Sequence, residues 1–216
     1  MTTFVLVHGA FRGGWSWDRV APLLRAAGHD AHAPALSRDA SSLTQWVDEV
    51  AAYVGDPADT VLVGHSQGGV VVRELAVRTP VAHVVYLDAA VPDPGERAVD
   101  VAPTPVDDAL LPPRATQVPP RPLVAGDDLD EATVAWMNER LAPVPFAPSL
   151  DPASPAEPAA DATYLFCTGT PDAYPCGTTR RRLDERGIPY AWIDAGHDAP
   201  LTRPDAVAEQ LLAVVN

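Results

Sequence analysis

The sequence predicts an α/β protein in which a mostly parallel sheet of about six strands carries helices on both faces. Short, β-branched apolar runs alternate along the chain with longer runs of helical spacing, an order that favours parallel strands joined by helices. Residues 81–87 are apolar almost throughout, as expected for a strand buried on both faces. The 216 residues suffice for one domain with a full core and one insertion.

Turn and capping residues set the bounds of these elements. Gly28 ends the first predicted helix, and Pro34 stops the second strand. Ser42 or Thr44 caps the next helix, whose apolar residues recur at helical spacing. The predicted strands cover residues 3–7, 30–33, 59–63, 81–87, 163–167 and 190–193, and the predicted helices cover residues 17–27, 43–54, 66–79, 130–141, 178–186 and 204–215.

Residues 92–160 interrupt this alternation and are predicted to form an insertion in a core made of residues 1–91 and 161–216. Prolines recur through the insertion, and proline excludes regular sheet and most helix. A disordered linker is one interpretation. The other, favoured by embedded large apolar residues, is a compact, irregular lid over one edge of the sheet. These residues are Leu110, Leu111, Leu123, Val124, Trp136, Phe146 and Leu150.

The most informative motif is Gly64-His65-Ser66-Gln67-Gly68, which lies between a predicted strand and a predicted helix. In this setting G-x-S-x-G is typical of a nucleophile elbow, a sharp turn that lifts a serine hydroxyl clear of the sheet. Side chains at the two glycines would collide with the neighbouring strand and helix. Ser66 is therefore the candidate nucleophile.

A serine nucleophile needs a base, and the oxyanion that forms on its substrate needs donors. Of the six histidines, His197 is the candidate base, because it follows the last predicted strand at the edge where parallel strands present their loops. The backbone N–H groups of Ala10, after the first strand, and Gln67, after the nucleophile, are the candidate oxyanion donors. We interpret His8 as a structural, hydrogen-bonded residue.

Several stretches of the sequence together carry a family resemblance. They are FVLVHGAFRGGWSW at 4–17, PLLRAAGH at 22–29, the elbow, YLDAAVP at 86–92 and GHDA at 196–199. They resemble the subgroup of the α/β-hydrolase superfamily that contains plant methylesterases, hydroxynitrile lyases and bacterial esterase-like relatives. The resemblance covers the whole predicted sheet and implies an α/β-hydrolase fold, but it guides poorly on substrate, since one fold hosts many chemistries.

Two aspartates compete for the acid that orients the base. The resemblance implies an acid after the penultimate strand, where Asp172 lies, whereas haloalkane-dehalogenase-like relatives place it where Asp88 ends a strand. Asp88 follows a buried strand, so its carboxylate needs a nearby donor such as an imidazole. Asp172 lies on a loop beside proline, where solvent exposure is easily accommodated. We favour Asp88 and keep Asp172 as the alternative; Asp198 is expected to point away from the base.

These features predict a carboxylesterase-type serine hydrolase that cleaves a small, largely apolar ester or thioester through an acyl-enzyme. Hydroxynitrile lyases of the similar subgroup carry threonine and lysine at the positions of Gly9 and Asp198, which disfavours a lyase. A biosynthetic thioesterase or cyclase and a slow-turnover ligand-binding receptor of the same fold are the alternatives. Trp15, Trp17 and Trp136 either line an apolar pocket or, as we favour, belong to the core.

The composition favours a small molecule, and not nucleic acid, as the binding partner. The net charge is −14 and every basic residue is arginine, which excludes lysine-dependent chemistry and argues against nucleic acid. No cofactor is expected, and the spacing of Cys167 and Cys176, expected to stay reduced, matches no metal site. No run approaches the length of a membrane span, and the N-terminus lacks signal-peptide features, so a cytoplasmic location is expected. The lysine-free composition is typical of high-GC bacteria. The oligomeric state is left open.

Overall fold

A six-stranded sheet with parallel neighbours forms the centre of the molecule. In this computed structural model, which describes residues 1–126 and 128–215, its order is β2-β1-β3-β4-β7-β8. The strands are β1 (Thr3–Val7), β2 (Asp30–His32), β3 (Thr60–His65), β4 (His83–Leu87), β5 (Gln117–Val118), β6 (Val144–Pro145), β7 (Asp161–Cys167) and β8 (Ala191–Ile193). Asp127, in the predicted insertion, and Asn216, at the end of the predicted core, lie outside the described residues.

Helices cover both faces of this sheet, as the sequence predicts. They are α1 (Ala21–Ala26), α2 (Leu43–Ala51), α3 (Gly68–Arg78), α4 (Glu131–Asn138), α5 (Pro175–Arg186), α6 (Ala199–Thr202) and α7 (Pro204–Ala213). Successive strand residues point to opposite faces, so Phe4 and Leu6 pack with α1 and α7, whereas Val5 and Val7 belong to the core beneath α2 and α3. None of the described helices has the length and apolarity that crossing a membrane requires.

The observed elements differ from the predicted ones mainly at their ends. The predicted helix 17–27 is a 3-10 turn at Gly14–Trp17 followed by α1, which has proline in its first turn, where the missing N–H costs nothing. Pro175 likewise starts α5 three residues before the predicted bound. The antiparallel pair of β5 and β6 and the short α6 were not predicted, because two to four residues are too few to show a period.

Residues 92–160, here called the insertion, pack against the edge of the sheet at which the strands end. The Ala142 N–H donates to the carbonyl of Phe11 at 3.0 Å, and the Gln67 side chain donates to Ser149 Oγ at 3.0 Å. Both contacts join the insertion to the loops that follow β1 and β3. Two of the apolar residues that favoured a compact segment, Leu110 and Val124, are nevertheless exposed.

Candidate active site

Ser66 occupies a strained turn between β3 and α3. Its φ of 54° lies in the left-handed region. The Ser66 N–H donates a hydrogen bond to the carbonyl oxygen of Leu87 at 3.1 Å, which holds the turn. A Cβ at Gly64 would lie 2.6 Å from a Val72 methyl, and one at Gly68 would lie 2.5 Å from the carbonyl oxygen of Val7. Both glycines are therefore required for the close packing of the elbow.

His197 lies between Ser66 and Asp88 and contacts both. Its Nε2 is 3.0 Å from Ser66 Oγ, and its Nδ1 is 2.6 Å from Asp88 Oδ2. Because a carboxylate only accepts hydrogen bonds, Nδ1 carries the proton and Nε2 is left to accept from the serine hydroxyl. This is the tautomer that a general base for Ser66 requires.

Asp88 is buried and receives two further donors. The Cys167 N–H reaches its Oδ1 at 3.1 Å, and the Thr170 hydroxyl donates to its Oδ2 at 2.5 Å. Burial by itself would raise the pKa of Asp88, but the hydrogen bonds from His197, Thr170 and Cys167, with the charge of the imidazole, hold that pKa below its usual range. The carboxyl is therefore ionised and able to orient the base.

The alternative acid, Asp172, lies outside this constellation. Its side chain is 83% exposed and pairs with Arg180 at 2.6 Å, on the turn that leads into α5. Of the two aspartates that the sequence left open, the one next to His197 is Asp88, whereas Asp172 faces solvent. The carboxylate of Asp198 accepts from Arg12.

The two proposed oxyanion donors lie on backbone next to Ser66. In the part of the chain that the structure describes, neither the Ala10 nor the Gln67 N–H donates to another group. A Cβ at Gly9 would lie only 2.7 Å from Ser66 Cβ, so the absence of a side chain there lets the backbone approach the nucleophile. His8 is structural: its Nδ1 donates to Gly9 O, its Nε2 accepts from the Leu36 N–H, and burial lowers its pKa to about 4.

Backbone strain is concentrated at this site. Among the described residues, the non-glycine residues with positive φ are Phe11 at 65°, Ser66 at 54° and Asp88 at 47°. They follow β1, β3 and β4 and lie in the candidate oxyanion segment (residues 8–12), at the candidate nucleophile and at the candidate acid. Strain of this kind costs on the order of 1–3 kcal/mol per residue and persists only where the surrounding structure imposes it.

Known proteins resemble this chain in sequence and in fold. A family model described as "Alpha/beta hydrolase family" matches residues 4–210. The chain belongs to the alpha/beta hydrolase family. The carbendazim hydrolyzing esterase of Nocardioides sp. (strain SG-4G) is 29% identical over 99% of this chain and 100% of its own length. Esterase PIR7B of Oryza sativa subsp. japonica is 39% identical, but over 43% of this chain and 40% of the rice protein.

Solved structures agree on the fold. An extracellular alpha/beta-hydrolase from a Paenibacillus species superposes with a TM-score of 0.79 and 22% identity, covering 99% of each chain. Polyneuridine aldehyde esterase superposes with a TM-score of 0.75 and 20% identity, covering 100% of each chain. At these identities the likeness concerns the hydrolase fold alone.

Three side chains of this alpha/beta hydrolase that the sequence did not reveal hold the segment around His197, here called the base loop (residues 196–202, which include the short α6). His65 Nε2 donates to the carbonyl oxygen of His197 at 2.7 Å. Arg12 forms a two-point pair with Asp198. From the insertion, Asp128 Oδ2 accepts from the Gly196 N–H at 2.8 Å and from the Thr202 hydroxyl at 2.9 Å. Of these contacts, only the ion pair has a sequence signal that could have indicated it: Arg12 and Asp198 carry opposite charges and each follows a strand.

A thiol of this hydrolase lies beside the acid and the base. Ligand atoms of Cys176, Asp88 and His197 lie within 4.8 Å of one another, an arrangement that could in principle hold a soft metal ion. Burial raises the pKa of Cys176 to about 12, with the charge of Asp88 adding to the rise. The thiol is therefore protonated in the metal-free protein, and the hydrogen bond between His197 and Asp88 engages the other two groups.

Two of the three tryptophans singled out from the sequence lie outside the fully buried core. Trp17 is fully buried in the core, as favoured from the sequence. Trp15 and Trp136 meet edge to face at 5.3 Å between ring centroids and join the 3-10 turn at Gly14–Trp17 to α4 of the insertion. A small recess, partly open to solvent, borders Gly9 and Gln67. Its apolar wall is formed by Phe11, Leu36, Trp46, Pro143 and Val144.

Proposed function

We propose that this hydrolase is a serine carboxylesterase that cleaves a small, largely apolar ester or thioester through an acyl-enzyme. The observation that carries the proposal is the hydrogen-bond chain from Ser66 Oγ through His197 to Asp88, with steps of 3.0 and 2.6 Å. Ester cleavage is also the activity in the names of several relatives, among them the Nocardioides and rice esterases.

In the acylation step, Ser66 passes its proton to His197 Nε2 as Oγ attacks the substrate carbonyl carbon. The carbonyl oxygen becomes an oxyanion that accepts hydrogen bonds from the N–H groups of Ala10 and Gln67. Gln67 is the N-cap of α3, so the positive end of the helix dipole adds to the stabilisation. Asp88, ionised and buried, stabilises the imidazolium that forms. The intermediate then collapses, and the imidazolium gives its proton to the departing alkoxide or thiolate.

Deacylation repeats these roles with water. His197 takes a proton from the water molecule, whose oxygen attacks the acyl carbon, and the same two N–H groups bind the second oxyanion. Collapse of this intermediate breaks the bond to Ser66 Oγ, and His197 returns the proton to the serine. The products are a carboxylic acid and the free enzyme, so no cofactor is needed.

The recess beside Gly9 and Gln67 supports a small, apolar substrate. One wall is aromatic, aliphatic and proline, which favours an apolar group next to the proposed oxyanion donors, and the polar part of the lining includes Arg12 and Arg38. The insertion, residues 92–160, is proposed to act as a lid over this recess, because its residues Ala142 and Ser149 bond Phe11 and Gln67 directly. The net charge of −14 argues against nucleic acid and supports a small molecule as the partner. The proposed location of the protein is the cytoplasm.

Release of p-nitrophenol from short and medium acyl esters tests the proposal. The parent should turn over many times, whereas Ser66→Ala should lose activity by about 10⁴-fold or more, since only oxyanion binding survives. Ser41→Ala, at an exposed serine outside the proposed triad, is the matched control and should keep the parental rate. An undiminished rate in Ser66→Ala would refute the mechanism. A single stoichiometric release without turnover would instead favour the ligand-binding alternative.

A further inference from the structure

Arg12 and Asp198 form a buried ion pair between two loops of the site. Arg12 Nε donates to Asp198 Oδ1 at 2.8 Å and Nη2 donates to Oδ2 at 2.7 Å, a two-point contact that fixes both planes. The side chains are only 11% and 7% exposed. Burial by itself would raise the pKa of Asp198, but the charge of Arg12 and its hydrogen bonds hold that pKa below its usual range, so the pair is ionised.

Each end of this pair adjoins a separate part of the proposed machinery. Arg12 follows Ala10 on the segment after β1, and its Nη1 donates to the carbonyl of Ala10 at 3.3 Å. Asp198 is the residue after His197. One guanidinium therefore contacts the residue that carries an oxyanion donor and the neighbour of the base.

We propose that Arg12, through Asp198, is a positioning residue that keeps the oxyanion segment and the base loop in catalytic alignment. The inference rests on the proposed esterase function. Catalysis requires the Ala10 N–H and His197 Nε2 to converge on one substrate carbonyl, yet these groups lie on loops that are far apart in sequence. A displacement of about 1 Å in such a site can cost on the order of 100-fold in rate.

Stability alone is a poor explanation for this pair. Removing two charges from water costs about as much as their attraction returns, so a buried ion pair is weak evidence for stabilisation, and apolar residues would fill the same space. What an apolar pair lacks is the planar fork that sets the angle between the two loops. The Arg182–Glu96 pair is also two-pointed, with both bonds at 2.7 Å, but it joins α5 to the insertion away from Ser66. It serves as a matched control.

The test compares kcat and KM of Arg12→Gln, Asp198→Asn and the double variant with those of the parent and Arg182→Gln. We expect each single change at the pair to lower kcat about 30-fold or more with KM altered by less than about threefold. The double variant should be no worse than the singles by more than about threefold, since one link is broken in all three. Arg182→Gln should keep the parental kcat. A kcat within threefold of the parent, an effect confined to KM, losses that multiply in the double variant, or an equal loss in Arg182→Gln would each overturn the proposal.

Arg12→Lys guards against a failure to fold. It keeps the buried charge but not the fork, so it should fold with a melting temperature near that of the parent and still lose kcat about tenfold. Full activity in this variant would show that charge alone suffices and would overturn the positioning role.

A readout without substrate separates this inference from the proposed function. The proton on His197 Nδ1, bonded to Asp88, gives an NMR resonance that should shift or broaden in Arg12→Lys and stay unchanged in Arg182→Gln. An unchanged resonance in Arg12→Lys contradicts the positioning role whatever the substrate. If the resonance is altered in Arg12→Lys but the parent turns over no ester, the positioning role is supported. The missing turnover then counts only against the proposed esterase function.

Discussion

The side chain of His65 donates from Nε2 to the backbone carbonyl of His197 across 2.7 Å, so the residue before the proposed nucleophile holds the residue proposed to activate it. The two rings also lie 4.7 Å apart between centroids. A carbonyl only accepts, so the His65 proton is on Nε2, and its Nδ1 is buried without a partner among the described residues. The elbow therefore positions two members of the proposed triad, Ser66 by its turn and His197 by this neighbouring ring.

Replacing His65 by phenylalanine should weaken catalysis more than it weakens the fold. His65→Phe keeps a ring against His197 but leaves its carbonyl without a donor, so we expect kcat to fall about tenfold. The free energy of unfolding should fall by about 1–2 kcal/mol for the lost hydrogen bond. Ester hydrolysis and urea unfolding measure the two effects. His32→Phe, at an exposed histidine on β2, is the control, and parental activity in His65→Phe would contradict the argument.

Asparagine at the two candidate acid positions should separate them sharply. Asp88→Asn places an amide against His197 Nδ1, which favours the wrong imidazole tautomer, so kcat should fall by about 10³–10⁴-fold. Asp172→Asn removes only an exposed pair with Arg180 and should leave kcat within about twofold of the parent, since such pairs contribute little. The kcat of each variant on one p-nitrophenyl ester decides the matter. A larger loss in Asp172→Asn than in Asp88→Asn would reverse the assignment.

A methyl group at position 9 should damage the oxyanion site without unfolding the protein. The added Cβ of Gly9→Ala would lie 2.7 Å from Ser66 Cβ and 3.3 Å from its hydroxyl oxygen, so the segment with the Ala10 N–H must move away. We expect kcat to fall by about 10²–10³-fold, the typical cost of one lost oxyanion donor. Gly55→Ala, where a Cβ meets nothing within 4 Å, is the matched control. Equal activities in the two variants would show that the segment tolerates the methyl.

The parts of the site that the sequence predicted are those set by local geometry. The elbow at Ser66 follows from two glycines between a strand and a helix, and His197 follows from the rule that parallel strands end at one edge. Neither signal needs knowledge of which side chains meet. The same rules predict the sheet and its helices, with errors at the ends of helices and strands and in elements of two to four residues.

The choice between the two aspartates could not come from topology. β4 and β7 are adjacent in the sheet, so Asp88 and Asp172 both follow strands at the same edge. What separates them is tertiary: the left-handed turn at Asp88 and the hydroxyl of Thr170 that bonds its carboxylate. Asp128 gave no signal at all, because its partners on the base loop are near only after the insertion has folded.

Acid should destabilise this protein through two histidines that are buried as neutral rings. Burial lowers the pKa of His8 to about 4, and burial with the nearby charge of His197 lowers the pKa of His65 to about 3. Between these values and the unfolded pKa near 6.5, the unfolded chain binds more protons than the folded one, so the free energy of unfolding falls as pH falls. At pH 5 the loss relative to pH 7.5 is roughly 2 kcal/mol for each histidine, as an upper bound.

Urea unfolding of the parent, His8→Gln and His65→Gln at pH 7.5 and pH 5 measures this effect. Many carboxylates also titrate in acid, and the fall in net charge from −14 works in the opposite direction, so the comparison between variants is the decisive quantity. Each glutamine variant should lose about half of the pH dependence that the two histidines contribute, whereas His32→Gln, at an exposed ring, should behave as the parent. Equal pH dependence in the parent and both buried-site variants would mean that these rings take up protons without unfolding the chain.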